Sequence, residues 1–135
     1  PDRARLHVDV RAWTLAELER VDAAVRSRGP AVPGAAISVQ GGINRPPMEA
    51  TVSAALLGLA RRAARETGLG NIGAAAVGGG SDGNLTSAMG IPTLDGFGAV
   101  GGGAHADDEW ISVSALAPRA RWIARLIDLV VATAR

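Results

Sequence analysis

The stretch Leu6-His7-Val8-Asp9-Val10-Arg11-Ala12-Trp13-Thr14-Leu15-Ala16-Glu17-Leu18 contains the change of period that decides the fold class. Leu6, Val8 and Val10 alternate with His7, Asp9 and Arg11, the pattern of a half-buried strand with one polar face. From Trp13 onward the period becomes helical. Thr14 can cap the helix with Glu17 reaching back to it, and Trp13 can pack on Leu18 as a hydrophobic staple. Leu15, Leu18, Val21 and Val25 keep helical spacing until Gly29-Pro30 ends the element. Residues 35–40 read as a second strand, so residues 1–42 form a strand-helix-strand unit. So small a unit cannot bury both faces of its sheet, and it is expected to complete one whose other strands lie upstream or in a partner chain.

Further along, Gly41-Gly42-Ile43-Asn44-Arg45-Pro46-Pro47 breaks all periodicity with paired glycines and paired prolines, the composition of a hinge and domain boundary. Residues 43–135 then form a second unit. An Ala-rich helix is expected over 48–67 with Val52, Leu56 and Leu59 on one side, and a strand over 72–77. The loop Gly78-Gly79-Gly80-Ser81-Asp82-Gly83-Asn84 follows, then a short helix through Met89 and a strand over 91–94. After the glycine-rich stretch 96–105, a final helix is expected from about Ala117 to Ala134. Its apolar stripe is Leu116, Ile123, Leu126, Ile127, Val130 and Val131. Alternating helices and strands predict an α/β layer around a mainly parallel sheet.

The chain has 135 residues, of which 47% are hydrophobic and 3% aromatic, so a core is affordable but must be built from Ala, Val, Leu and Ile. A net charge of +1 and so few aromatic rings give no footprint for nucleic acid. The run Arg61, Arg62 and Arg65 lies on an expected helix and reads as a solvated face. The best membrane candidate, residues 122–131, contains Arg125 and Asp128 and is shorter than the roughly 18 residues of a span. Cysteine is absent, which excludes disulfides and thiol catalysis and fits a reducing, cytoplasmic setting. The chain begins with Pro1 and shows no signal-peptide pattern, which reads as a fragment or a processed product.

Chemistry concentrates in Gly101-Gly102-Gly103-Ala104-His105-Ala106-Asp107-Asp108-Glu109-Trp110, where one imidazole follows a glycine run and precedes carboxylates. Neutral imidazole is a good zinc ligand, a neighbouring carboxylate can orient its other nitrogen, and glycines admit close backbone approach. On residue types alone a single loop histidine is more often a surface residue, and zinc needs three or four ligands. His7 and Asp9 share a strand face but lack a third ligand, and the alternation explains them as its outer side. The loop 78–84 between a strand and a helix could present backbone N–H groups to an anion, or be a tight turn needing positive φ. It lacks the Lys-Ser/Thr ending of a P-loop and the spacing of a dinucleotide fingerprint. Asn84-Leu85-Thr86 matches a glycosylation acceptor only by chance. Arg11, at a strand end, and Arg45, in the hinge, suit bidentate capture of a carboxylate, with plain solvation as the alternative for either.

In chain order, Asp9-Val10-Arg11, Arg45-Pro46, Gly78-Gly79-Gly80-Ser81-Asp82 and Gly103-Ala104-His105 resemble the zinc-dependent metallopeptidase and amidohydrolase family of carboxypeptidase G, the aminoacylases and succinyl-diaminopimelate desuccinylase. The resemblance implies a catalytic domain with an α+β, ferredoxin-like lid inserted into it. Residues 1–42 would be the second half of that lid and 43–135 the C-terminal part of the catalytic domain. By the same resemblance His105 is the last ligand of a site holding two zinc ions. Arg11 and Arg45 hold a substrate carboxylate, Gly79, Gly80 and Ser81 line the pocket, and the lid makes a homodimer. The family's other metal ligands, its general-base glutamate and the lid histidine and asparagine that reach substrate all precede the matched motifs. This chain alone is therefore expected to be inactive. The implied substrate is a small amide or peptide bearing a carboxylate. The competing readings are a non-catalytic dimerisation protein with a remnant metal site, and an α/β module that binds anions through loop 78–84.

Overall fold

A computed structural model describes residues 2–133. Its elements in chain order are α1 (Leu15–Arg26), α2 (Ala54–Glu66), α3 (Gly83–Ala88), β1 (Gly101–Gly102), β2 (Trp110–Ile111) and α4 (Val113–Thr133). The expected end of the last helix at Ala134 lies outside the described residues, as does Pro1.

Helix α1 starts where the sequence signals it. Thr14 is the N-cap, in extended conformation, and its hydroxyl accepts from the Glu17 backbone N–H. The reciprocal half of the capping box is not made: the Glu17 carboxylate turns to Arg20, at 2.6 and 2.8 Å. Trp13 remains exposed while Leu18 is the buried residue of the helix. The first backbone N–H of α1, on Leu15, donates instead to the Glu49 carboxylate at 2.9 Å, which ties α1 to the chain beyond the expected boundary.

The core is the contact between α2 and α4. Ala60, Ala63 and Ala64 have no exposed surface and meet Trp122, Leu126 and Leu129. Leu56, Leu59, Leu69, Ile72, Leu94, Phe97 and Ile123 pack around this cluster. Small side chains on α2 leave room for a single large ring from α4. Trp122 fills it, donates its indole N–H to the Ala60 carbonyl at 2.9 Å and stacks on Phe97 with centroids 4.5 Å apart. The buried face of α4 is thus rotated from the expected stripe. Leu126 is common to both, but Ile127, Val130 and Val131 are exposed. Helix α4 also begins at Val113 rather than near Ala117, with Pro118 inside it.

Glu66 joins the two helices at the surface, accepting from Arg62 at 2.7 Å and from Arg125 at 2.6 Å. The Arg62 hydrogen bond, then that of Arg125, lowers the Glu66 pKa from its ordinary value. A lowered folded-state pKa means a contribution present above the ordinary glutamate value of about 4.3 and lost as pH falls through the lower, folded-state value. Glu66→Gln should therefore unfold more easily than the parent at neutral pH and equally easily in acid. Urea midpoints across pH would show the gap closing, and added salt should narrow it at neutral pH.

The four stretches with strand periodicity, residues 6–10, 35–40, 72–77 and 91–94, carry no ladder among the described residues. The reason is pairing: alternation specifies a face, but a strand exists only beside another strand. In the first two stretches the apolar side chains are open to solvent, with Leu6 86%, Val8 68% and Ile37 53% exposed, while Ile72 and Leu94 of the later two pack against the α2/α4 core. The sheet among the described residues is antiparallel, not parallel: Gly101 pairs with Ile111 and Gly102 with Trp110. The resulting mixture of helices with a small sheet is compatible with part of an α/β peptidase-like fold. No helix among the described residues is long and apolar enough to cross a membrane.

Candidate functional site

An open cleft of about 1240 Å³ runs between the N-terminal stretch and the α2/α4 core. Asp9 and Arg11 stand on one wall, Asn44 and Arg45 on a second, and residues 72–81 on a third; Phe97, Arg119 and Trp122 are also in its lining. The tertiary structure therefore gathers Arg11, Arg45, Gly79, Gly80 and Ser81 around one space, although they come from three separated segments.

Both arginines grip the glycine loop. The Arg11 guanidinium donates through Nη1 to the Gly78 carbonyl and through Nε and Nη2 to the Asp9 carboxylate. Arg45 lies against Gly80, where an added Cβ would stand 3.2 Å from its Cδ, and its Nη2 is 3.6 Å from the Asp82 carboxylate. Asn84 fastens the loop to the hinge: its side chain accepts from the Ser81 N–H at 2.9 Å and donates to the Pro46 carbonyl at 2.7 Å. The Ser81 hydroxyl accepts from the Gly83 N–H at 3.1 Å. Two of the loop's backbone donors are thereby taken by its own side chains, so the loop is less open to an anion than its glycines imply. The positive charge in the cleft lining comes from Arg11, Arg45 and Arg119, of which Arg11 and Arg45 contact the loop. Arg26 secures the hinge from the other side, donating to the Gly41 carbonyl at 2.6 Å.

His105 is presented differently. It lies in the turn between β1 and β2 and adopts a left-handed conformation with φ of 68°. Its backbone N–H points to the Glu109 carboxylate at 3.4 Å, and among the described residues neither ring nitrogen has a hydrogen-bond partner. It is exposed and does not line the arginine cleft. The glycines before it are required by close contact. A Cβ on Gly101 would come within 2.1 Å of the Trp110 carbonyl oxygen, and one on Gly102 would meet the Trp110 indole at 3.0 Å. Gly101→Ala should break the ladder, releasing the Ser112 N–H that donates to the Val100 carbonyl at 2.7 Å. Amide exchange at Ser112 should rise at least about tenfold, the worth of one ordinary hydrogen bond; unchanged protection would mean that the pairing does not hold the His105 turn.

No group of three His, Asp or Glu side chains that could hold a metal occurs among the described residues. A free imidazole suits one coordination position but not a whole site, since zinc takes three or four protein ligands. Asp9 turns one carboxylate oxygen to Arg11, and His7 and Asp9 belong to no group of three metal-capable side chains among the described residues. Two structural features escaped the sequence reading, the β1/β2 hairpin and the Asp9 to Arg11 bond. The second was legible, because residues two apart on an alternating stretch share a face.

A family model described as Peptidase family M20/M25/M40 matches residues 5–129. No curated protein and no solved structure matches the chain.

Proposed function

The chain belongs to peptidase family M20/M25/M40, and we propose that it is the C-terminal part of a zinc-dependent hydrolase cleaving a peptide or N-acyl amide bond next to a carboxylate-bearing group. Membership makes it part of a metallopeptidase-type hydrolase lineage, whose members are generally zinc-dependent. The observation that carries the finer reading is the convergence of Arg11 and Arg45 on one glycine loop at one cleft. Paired guanidinium groups on a rigid frame are suited to holding an anionic substrate end in one orientation, which brings the amide to a fixed position. His105 would hold zinc through a ring nitrogen, and the zinc would polarise the amide carbonyl and acidify bound water. The remaining ligands and the general base would come from residues outside this chain, so the chain alone would be inactive. Residues 1–42 would belong to the lid, with the exposed Leu6, Val8, Ile37 and Val39 side chains covered in a homodimer or by neighbouring strands.

The test is to assay the full-length protein for zinc and for hydrolysis of N-acylamino acids and dipeptides alongside their carboxamide counterparts. Cleavage that favours the carboxylate forms over the carboxamides through a lower KM, with that advantage reduced in Arg45→Ala, is the expected result. A zinc-free protein that cleaves none of them would end the hydrolase reading. A second reading is a non-catalytic anion-binding or dimerisation protein with a remnant metal site. Zinc-independent binding of acetate or phosphate by the 135-residue chain would support it.

A further inference from the structure

Arg11 does not reach the cleft as a free guanidinium. Its Nε and Nη2 both donate to one oxygen of Asp9, at 3.1 and 2.8 Å. Nη1 donates to the Gly78 carbonyl. A guanidinium carries five N–H donors in a planar fork, so after these three bonds two donors remain, one on each terminal nitrogen. Those two donors are what Arg11 has left to offer a carboxylate. Asp9 is held beside Arg11 by covalent spacing alone, two residues apart on a stretch whose alternation puts both on one face. It lines the same cleft.

We propose that Asp9 is a positioning residue for carboxylate recognition: it grips the side edge of Arg11 and, with the Gly78 carbonyl, aims the terminal nitrogens at the ligand. A long, flexible side chain otherwise loses rotamer freedom on binding, and a guanidinium already clamped at two points loses less. Asp9 also lowers the local positive charge, so the clamp trades some attraction for orientation. The inference rests on the reading of Arg11 as a carboxylate-binding group.

The experiment uses the full-length protein with the best-cleaved N-acetylamino acid of a panel and its carboxamide analogue. Asp9→Asn should raise KM for the carboxylate substrate about fivefold, the upper range for an ion pair this open to solvent, with the effect on KM rather than kcat. KM for the carboxamide should not move. Asp9→Glu, which keeps the charge, should recover part of the loss. In an Arg11→Ala background the Asp9→Asn change should add nothing further. Binding of N-acetylglycine to the metal-free protein should weaken by the same factor as KM rises. If Arg11→Ala raises KM and Asp9→Asn does not, the positioning role is overturned while the Arg11 reading stands. A lowered KM in Asp9→Asn would make Asp9 a competitor for Arg11, and an equal rise for the carboxamide would make its role merely structural; either overturns the proposal. If Arg11→Ala itself leaves KM unchanged, both fall.

Discussion

His105→Ala in the full-length protein should abolish turnover through loss of metal. Residues that only support a ligating histidine already cost about 10- to 100-fold in metal affinity when removed, so loss of the ligand itself should exceed about 100-fold. One complication has a physical origin: His105 sits at φ 68°, where alanine is strained by roughly 1 kcal/mol. His105→Asn separates the two effects, because asparagine tolerates the left-handed region but is a poor substitute for imidazole. If both variants lose zinc and activity together, ligation is the cause. Normal zinc content and normal turnover in either variant would refute the assignment of His105. Retention of zinc with altered activity in the alanine variant alone would point to the strained turn instead.

Trp122→Ala should produce the largest loss of stability. Trp122 is 4% exposed, fills the space over Ala60, Ala63 and Ala64, stacks on Phe97, and has the Arg119 guanidinium 5.1 Å from its ring centroid. Truncating so large a buried ring costs about 3–5 kcal/mol, a large share of the 5–15 kcal/mol by which a typical domain is stable. The damage should also spread toward the cleft, since Arg119 donates to the Gly96 carbonyl at 2.6 Å while resting on that ring. Trp122→Phe keeps a ring and loses the indole N–H to Ala60, so its cost should be near the ~1 kcal/mol of one hydrogen bond plus a small void. Urea unfolding of both variants checks this. A loss below about 1 kcal/mol for the alanine variant would show that α2 and α4 are held together by something other than this ring.

The parts of the fold readable in the sequence were those set by local rules. Thr14 caps α1 because a short hydroxyl side chain reaches a free helix N–H two or three residues on, whatever surrounds it. The Ala-rich stretch is α2, though it starts at Ala54 rather than Met48, the short helix ends at Ala88 with Met89 as its C-cap, and the glycine run precedes His105. The ordered motifs were also enough to identify the family, which the match over residues 5–129 bears out.

What depended on neighbours was not readable. The alternation in residues 6–10 and 35–40 names a face but not a pairing partner, and the described structure supplies none, so these stretches carry apolar side chains without a ladder. Which side of α4 is buried followed from a Trp122-shaped gap over three alanines on another helix, a long-range fit that the helix's own periodicity cannot express. The hairpin around His105 required Gly101 and Gly102 to meet the Trp110 carbonyl and indole nearly flush.

By itself, then, the sequence determined where helices lie to within a few residues, the Thr14 cap, the family and the residue types available for chemistry, because each depends on neighbours within a few positions or on the order of short motifs. The tertiary structure alone decided that Arg11, Arg45 and Gly80 meet at one cleft and that His105 stands on a separate turn. Those facts are distances between segments tens of residues apart, and such distances are set by which surfaces bury one another.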